Sequence, residues 1–278
     1  MFGQFLLAFR EALEAALIAA IILAYLKRIE RKKLTRYVWY GAYLAILASL
    51  GLGVSIWLIF GELSEAAEAL FEGVAALFAA AVLSSMIYWM ATKGKELKTE
   101  VERHVETIVT RGATVALTSF AFLVVFREGL ETALFLTPFL LNDFSGTLIG
   151  TFLGIIASLV IAYAIFVVGA KINIRKFFYF TSILLILLAA GLAGYGVHDL
   201  VEYSEKVGVE LGWLGTPAYA LNISEGNILH HKGLIGSVFA VMFGYTVSAE
   251  WIRVIVHLAY LAIAFPLVLG GYKRKSPQ

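Results

Sequence analysis

Six charged side chains lie where a membrane-spanning segment should carry none. Phe9-Arg10-Glu11-Ala12-Leu13-Glu14-Ala15-Ala16-Leu17 sits in the first apolar stretch, and Phe126-Arg127-Glu128-Gly129-Leu130-Glu131-Thr132-Ala133-Leu134 repeats the pattern 117 residues later. A charge at the centre of a spanning helix costs ~2.5–3.5 kcal/mol on insertion scales, so such residues call for a function. Residues three apart share a helix face. Glu11 and Glu14 therefore point together, as do Glu128 and Glu131, and two such helices in contact would bring four carboxylates to one space. Carboxylate oxygens suit hard cations; ferric iron is very hard, and Fe2+ and Mn2+ also accept oxygen ligands. Arg10 and Arg127 would act as partial counter-charges, leaving a group that a divalent cation would balance. Ala12, Ala15, Ala16 and Gly129 are small enough to let the two helices approach closely. The plainer alternative is two local salt bridges, Arg10 with Glu14 and Arg127 with Glu131, each four residues apart. It leaves Glu11 and Glu128 without such partners, and buried pairs are weak evidence for stability.

The elements that must position these residues are membrane helices. Hydrophobic residues make up 60% of the 278, and charged residues 15%, against about 25% in a typical soluble domain. A spanning helix needs ~20 mostly apolar residues. Seven such spans fit, at 2–26, 37–60, 66–91, 113–141, 146–169, 177–199 and 249–271. The expectation is an all-α polytopic membrane protein with one membrane domain over 1–278. The apolar N-terminus lacks a basic leader region and reads as the first span, not a cleaved signal.

Loop charge orients the chain. The connections after spans 1, 3 and 5 and the C-terminal tail hold seventeen basic residues, among them Lys95, Lys171, Arg274 and Lys275, while the other side has only Lys206 and Lys232. By the positive-inside rule the N-terminus is outside and the C-terminus cytoplasmic. Gly233–Tyr245 is apolar but too short to span, and reads as a re-entrant or interfacial segment within an outer loop at 200–248. The two motif copies then lie on helices of opposite direction. That predicts an inverted repeat, residues 1–91 (spans 1–3) and 113–199 (spans 4–6), with span 7 added and the site at the repeat interface. Beyond the motif, spans 2 and 5, or 3 and 6, show no convincing identity by eye.

Other groups are weaker signals. Glu65, Glu68 and Glu72 share a face at the start of span 3. With Glu62 they read as an acidic funnel or as a helix end with favourable acids; Glu68 and Glu72 suit the funnel, Glu62 and Glu65 the helix end. His198 and Asp199 close span 6 and are candidate entry ligands beside Glu68 and Glu72. The adjacent His230 and His231 read as ordinary loop residues, and Glu250 with Arg253 as a local pair. His257 inside span 7 reads as a core histidine before a proton relay. His104, among Glu100, Glu102 and Glu106, belongs to a solvated helix. With no cysteine, disulfides and thiolate metal sites are excluded. The basic residues are dispersed over several loops, so nucleic acid is not a partner.

Arg10-Glu11-Ala12-Leu13-Glu14 and Arg127-Glu128-Gly129-Leu130-Glu131 resemble the doubled Arg-Glu-x-x-Glu hallmark of the oxidase-dependent iron transporters, the family of the fungal high-affinity iron permease and bacterial iron-uptake permeases. Softer matches are Glu72-Gly73 with Met86 and Trp89 in span 3, and Ala259-Tyr260-Leu261 in span 7. Ala12 departs mildly from the favoured glycine. The resemblance implies a seven-span permease of the cell membrane that takes Fe3+ or Fe2+ into the cytoplasm, with Glu11, Glu14, Glu128 and Glu131 as ligands. It implies iron as the substrate and no prosthetic group, with a ferroxidase or an extracytoplasmic iron-binding protein as partner in several members. Related members are associated with lead uptake, so Mn2+, Zn2+ and Pb2+ stay open as alternatives. A membrane di-iron carboxylate enzyme is a further alternative, but such sites add Glu-x-x-His on two helices, and both copies here read Glu-x-x-Glu. A carrier whose glutamates only titrate is the third.

Overall fold

The computed structural model describes residues 1–60, 64–93, 96–166, 174–209, 211–224, 226–231 and 233–273. Glu62, Lys95, Lys171, Lys232, Arg274 and Lys275 lie outside the described residues. The described helices are α1 (Phe2–Arg28), α2 (Thr35–Phe60), α3 (Glu65–Lys93), α4 (Leu97–Thr110), α5 (Thr114–Asn142), α6 (Phe144–Phe166), α7 (Ile174–Lys206), α8 (Leu234–Phe243) and α9 (Trp251–Lys273). The chain is a polytopic, all-helical membrane protein. Among the described residues, α2, α3, α6, α7 and α9 are long and apolar enough to cross a bilayer. Helices α1 and α5 match them in length, 27 and 29 residues, and differ in carrying the motif charges.

Local chemistry sets several boundaries. Lys27 and Arg28 close α1, where the helix dipole favours cations. The Asp143 carboxylate accepts the Gly146 N–H at 2.8 Å, a side-chain cap that starts α6 one residue after α5 ends. Two of the differences from the sequence reading have a visible cause. Helix α7 continues to Lys206, so Glu202 and Glu205 lie on a helix and not in a loop. Lys206 holds this extension by pairing with Glu202 at 2.9 Å and donating to the Glu65 carbonyl at 3.2 Å. Span 7 begins at Trp251, because Ser248–Glu250 is drawn into a two-stranded antiparallel sheet (β2) with Pro217–Ala220 (β1). Helix α8, ten residues long, extends only ~15 Å, which is too short to span.

The solvated helix expected around His104 is α4, but it is docked on one face. Val101 and Val105 are buried against Tyr25 and Leu26 of α1 and Leu117 and Ala121 of α5. Arg28 fastens it through Glu102 at 3.0 Å, and His104 stacks on Phe120.

Packing crosses between the two halves of the chain. Helix α1 packs mainly on α6, α2 on α5, and α3 on α7. A Cβ added at Gly41 of α2 would collide with Thr118 O and Phe122 N of α5, and one at Gly150 of α6 with Met1 O and Phe5 N of α1. Met1 and Phe5 stand 117 residues before Thr118 and Phe122, the same interval as the motif copies. Eight residues after each glycine comes a serine, Ser49 or Ser158, whose hydroxyl returns to its own helix at Ala45 O or Ile155 O. Gly41 with Ser49 and Gly150 with Ser158 thus take the same glycine–serine register on α2 and α6. Two small residues amid varied apolar ones carry little sequence signal, and only the backbone contact reveals why they are small.

Candidate metal site

The first motif copy is buried. Arg10 is 2% exposed and Glu11 fully buried. The Arg10 guanidinium reaches Glu11 Oε1 at 2.8 Å, Glu14 Oε1 at 2.7 Å and the Met86 sulfur of α3 at 3.0 Å. The second copy pairs Arg127 Nε with Glu131 Oε1 at 2.8 Å. The Arg127 side chain stays 52% exposed and lies 5.7 Å from the Trp89 ring centroid. Both local pairs expected from four-residue spacing therefore form. Contrary to expectation, Glu11 also has an arginine partner, because the buried Arg10 fork turns toward both of its neighbours.

Glu11, Glu128 and Glu131 each offer an oxygen within 4.8 Å of the others. The second oxygens (Oε2) of these three carboxylates are buried without a hydrogen-bond partner. Leaving a buried acceptor unmade costs ~1–3 kcal/mol, and more when it is charged. A cation bound among the three would remove that penalty. Glu14 is not part of this close trio. It sits on the Arg10 fork, within electrostatic reach of Glu131, so four carboxylates converge but only three meet.

Gly129 does not serve the approach of α1 and α5. A Cβ there would collide with the Ser49 side chain of α2. The second copy thus needs glycine for its contact with α2.

A second acidic group lies where α7 passes the start of α3. His198, Asp199 and Glu202 offer ligand atoms within 4.8 Å of one another. Asp199 is buried, and its Oδ2 lacks a hydrogen-bond partner. Tyr195 donates to Glu72 at 3.1 Å, and His198 Nδ1 lies 3.0 Å from Glu250 Oε1. Glu250 therefore pairs with His198, while Arg253, its expected partner, is only within electrostatic reach of it. Glu68 is apart from this group, within electrostatic reach of Lys206. Glu202, which joins the group, was missed because it had been read as loop; its four-residue spacing from His198 was the available signal. Met86 follows Glu72 by fourteen positions, ~21 Å of helix. Ala76, Ala79, Ala80 and Leu83 fill that stretch with buried apolar groups, the last three packed with Leu6, Leu7 and Leu136.

His257 lines a separate cavity of ≈ 590 Å³ between α8 and α9, with Arg253, Phe239 and Phe243. His230 and His231 stack at 4.2 Å, and the latter accepts the Val247 N–H at 3.4 Å.

A bundle of apolar helices with buried carboxylates midway along two of them suits a membrane transporter of cations. The family model described as "Iron permease FTR1 family" matches residues 1–270. The chain belongs to that family. A protein of Archaeoglobus fulgidus described as "Uncharacterized protein" is 44% identical over 274 residues, 99% of this chain and 96% of its own. The ferrous iron permease EfeU of Yersinia pestis is 34% identical over 270 residues, 96% of this chain and 93% of its own. That of Escherichia coli O157:H7 is 33% identical over 284 residues, 99% of this chain and 100% of its own. No solved structure matches. The chain is therefore an iron permease of the cell membrane, a transporter and not the di-iron enzyme weighed as an alternative.

Proposed function

We propose that iron ions cross the membrane through a site formed by Glu11, Glu128 and Glu131, with Glu14 beside it and Arg10 and Arg127 as counter-charges. The observation that carries this reading is the set of three buried, unpartnered carboxylate oxygens, one from each residue. The relatives named ferrous iron permease favour Fe2+ as the cargo. Charge supports the same choice. Four carboxylates against two guanidinium groups are balanced by a divalent cation, whereas Fe3+ would need a further anion.

Five apolar spans plus α1 and α5 make seven, with the basic residues gathered on one side. By the positive-inside rule the N-terminus is then outside and transport runs inward. The crossed packing of α1 on α6 and α2 on α5, in which the residues met by Gly150 and by Gly41 are offset by 117 positions, supports an inverted repeat of 1–91 and 113–199. Cations would be gathered first by His198, Asp199, Glu202 and Glu72. The apolar layer around Leu83 must then part before they reach the motif site.

Uptake of radioactive iron into proteoliposomes tests this. Fe2+ and Fe3+ are offered separately, Mn2+, Zn2+ and Pb2+ serve as competitors, and Glu131→Ala is the control. Uptake of Fe2+ lost in the variant is the expected result. Preference for Fe3+ would place an oxidising partner ahead of the permease. Full uptake by Glu131→Ala would overturn the site.

A further inference from the structure

The two motif arginines occupy matching places in the sequence and different places in the fold. Arg10 is 2% exposed, with Glu11, Glu14 and the Met86 sulfur all within 3.0 Å. Its fork is engaged on both terminal nitrogens, and a thioether accepts without adding a competing charge. Among the described residues Arg127 makes one ion pair, through Nε to Glu131, and half of its side chain is uncovered. A guanidinium midway along a spanning helix is expensive to leave against lipid. Its uncovered half therefore marks the side on which no described residue covers the carboxylate group. Glu11, Glu128 and Glu131 are 7% exposed or less, so Arg127 is the outermost member of the group on that side.

Glu131 is shared by two claimants. Its Oε1 holds Arg127, while its Oε2 belongs to the three unpartnered oxygens. A cation and the guanidinium compete for this one carboxylate. The second seat for the guanidinium is already next to it. Trp89 lies 5.7 Å away, within the ~6 Å range of a cation–π contact, and tryptophan offers the most favourable ring face. Met86 and Trp89 are three apart and share one face of α3, so a single helix face holds the engaged arginine and faces the loosely held one.

We propose that Arg127 is the movable counter-charge of the site. When a cation enters, its guanidinium leaves Glu131 and settles on the Trp89 face, while Arg10 stays in place. Trp89 is then a positioning residue for metal exchange. The proposal rests on the reading of Glu11, Glu128 and Glu131 as the cation site.

The test is a double-mutant cycle on purified full-length protein. Mn2+ binding is measured by electron paramagnetic resonance, and Fe2+ uptake is measured in proteoliposomes. Trp89→Leu is expected to weaken Mn2+ binding by roughly 2- to 30-fold, the range of a cation–π contact, with Trp89→Phe in between. Arg127→Gln is expected to bind Mn2+ more tightly and to transport more slowly, since nothing then displaces the ion. In the Arg127→Gln background Trp89→Leu should have no further effect. Equal effects of Trp89→Leu in both backgrounds, or none in either, would overturn the proposal. If Trp89→Leu does not yield folded protein, Trp89→Phe completes the same cycle. The underlying site reading fails separately, if Glu128→Gln still binds and transports like the wild type.

Discussion

The first motif copy is dry and closed, and the second is partly open. Leu6, Arg10 and Leu13 of α1 are 4%, 2% and 2% exposed. Their counterparts 117 residues later, Leu123 and Leu130, are 61% and 42% exposed, and the Arg127 side chain 52%. The same residue types at the same spacing thus have opposite environments. The cause is the asymmetric remainder of the fold. Helices α3, α7 and α9 build a core that takes in Leu6, Leu7 and Met86, and nothing equivalent covers the matching stripe of α5 among the described residues. A repeated motif supplies repeated chemistry, but the elements around it divide the labour. One copy is buried throughout, and the other is buried at its carboxylates and uncovered at its arginine.

The largest expected effect breaks the chemistry shared by both copies. Glu128→Gln or Glu11→Gln should reduce iron uptake roughly 100-fold or more, since even outer partners of metal ligands cost 10–100-fold in affinity. Glu14→Gln should cost less, because Glu14 lies beside the trio. Equal losses in vesicle uptake would return Glu14 to the ligand set. The difference between copies appears next in stability. Arg10→Ala strands Glu11 and Glu14 as buried charges, at about 3–5 kcal/mol. Arg127→Ala strands only the buried Glu131, at about 1–3 kcal/mol. Thermal denaturation in detergent should show a large shift for the first and a smaller one for the second; the reverse order would break the comparison.

Packing sharpens it further. Gly129→Val should destabilise by about 1–3 kcal/mol through overpacking against Ser49. Ala12→Gly should cost about 1 kcal/mol, the helix-propensity difference alone. Size-exclusion profiles and melting temperatures of the two variants decide. The smallest effect belongs to the second acidic group. Asp199→Asn should raise the half-saturating iron concentration several-fold and leave the maximal rate unchanged, as expected of a residue that gathers cations without holding them at the motif site. A fall in maximal rate alone would move Asp199 into the transport step itself.

Much of this was legible in the residues. Charges inside apolar stretches betray themselves because the bilayer penalises them, and three- and four-residue spacing places them on one face. Helix positions followed from hydropathy to within a few residues, except where polar contacts extended α7 to Lys206 or the β2 pairing delayed α9 to Trp251. The role of Glu202, the grip of Met86 on Arg10 and the Ser49–Gly129 contact were not legible. Each depends on which helix faces which, and apolar spans carry little sequence information about their neighbours.

The sequence by itself determined that this is a helical membrane protein of the iron permease family with doubled Arg-Glu-x-x-Glu helices. Hydropathy, charge cost and helical period act locally along the chain and need no knowledge of partners. Only the tertiary structure decided that Glu11, Glu128 and Glu131 meet while Glu14 stands aside, and that Arg10 is sealed while Arg127 is half open. Those outcomes depend on which helices pack together, which is a property of the whole bundle and of no single segment.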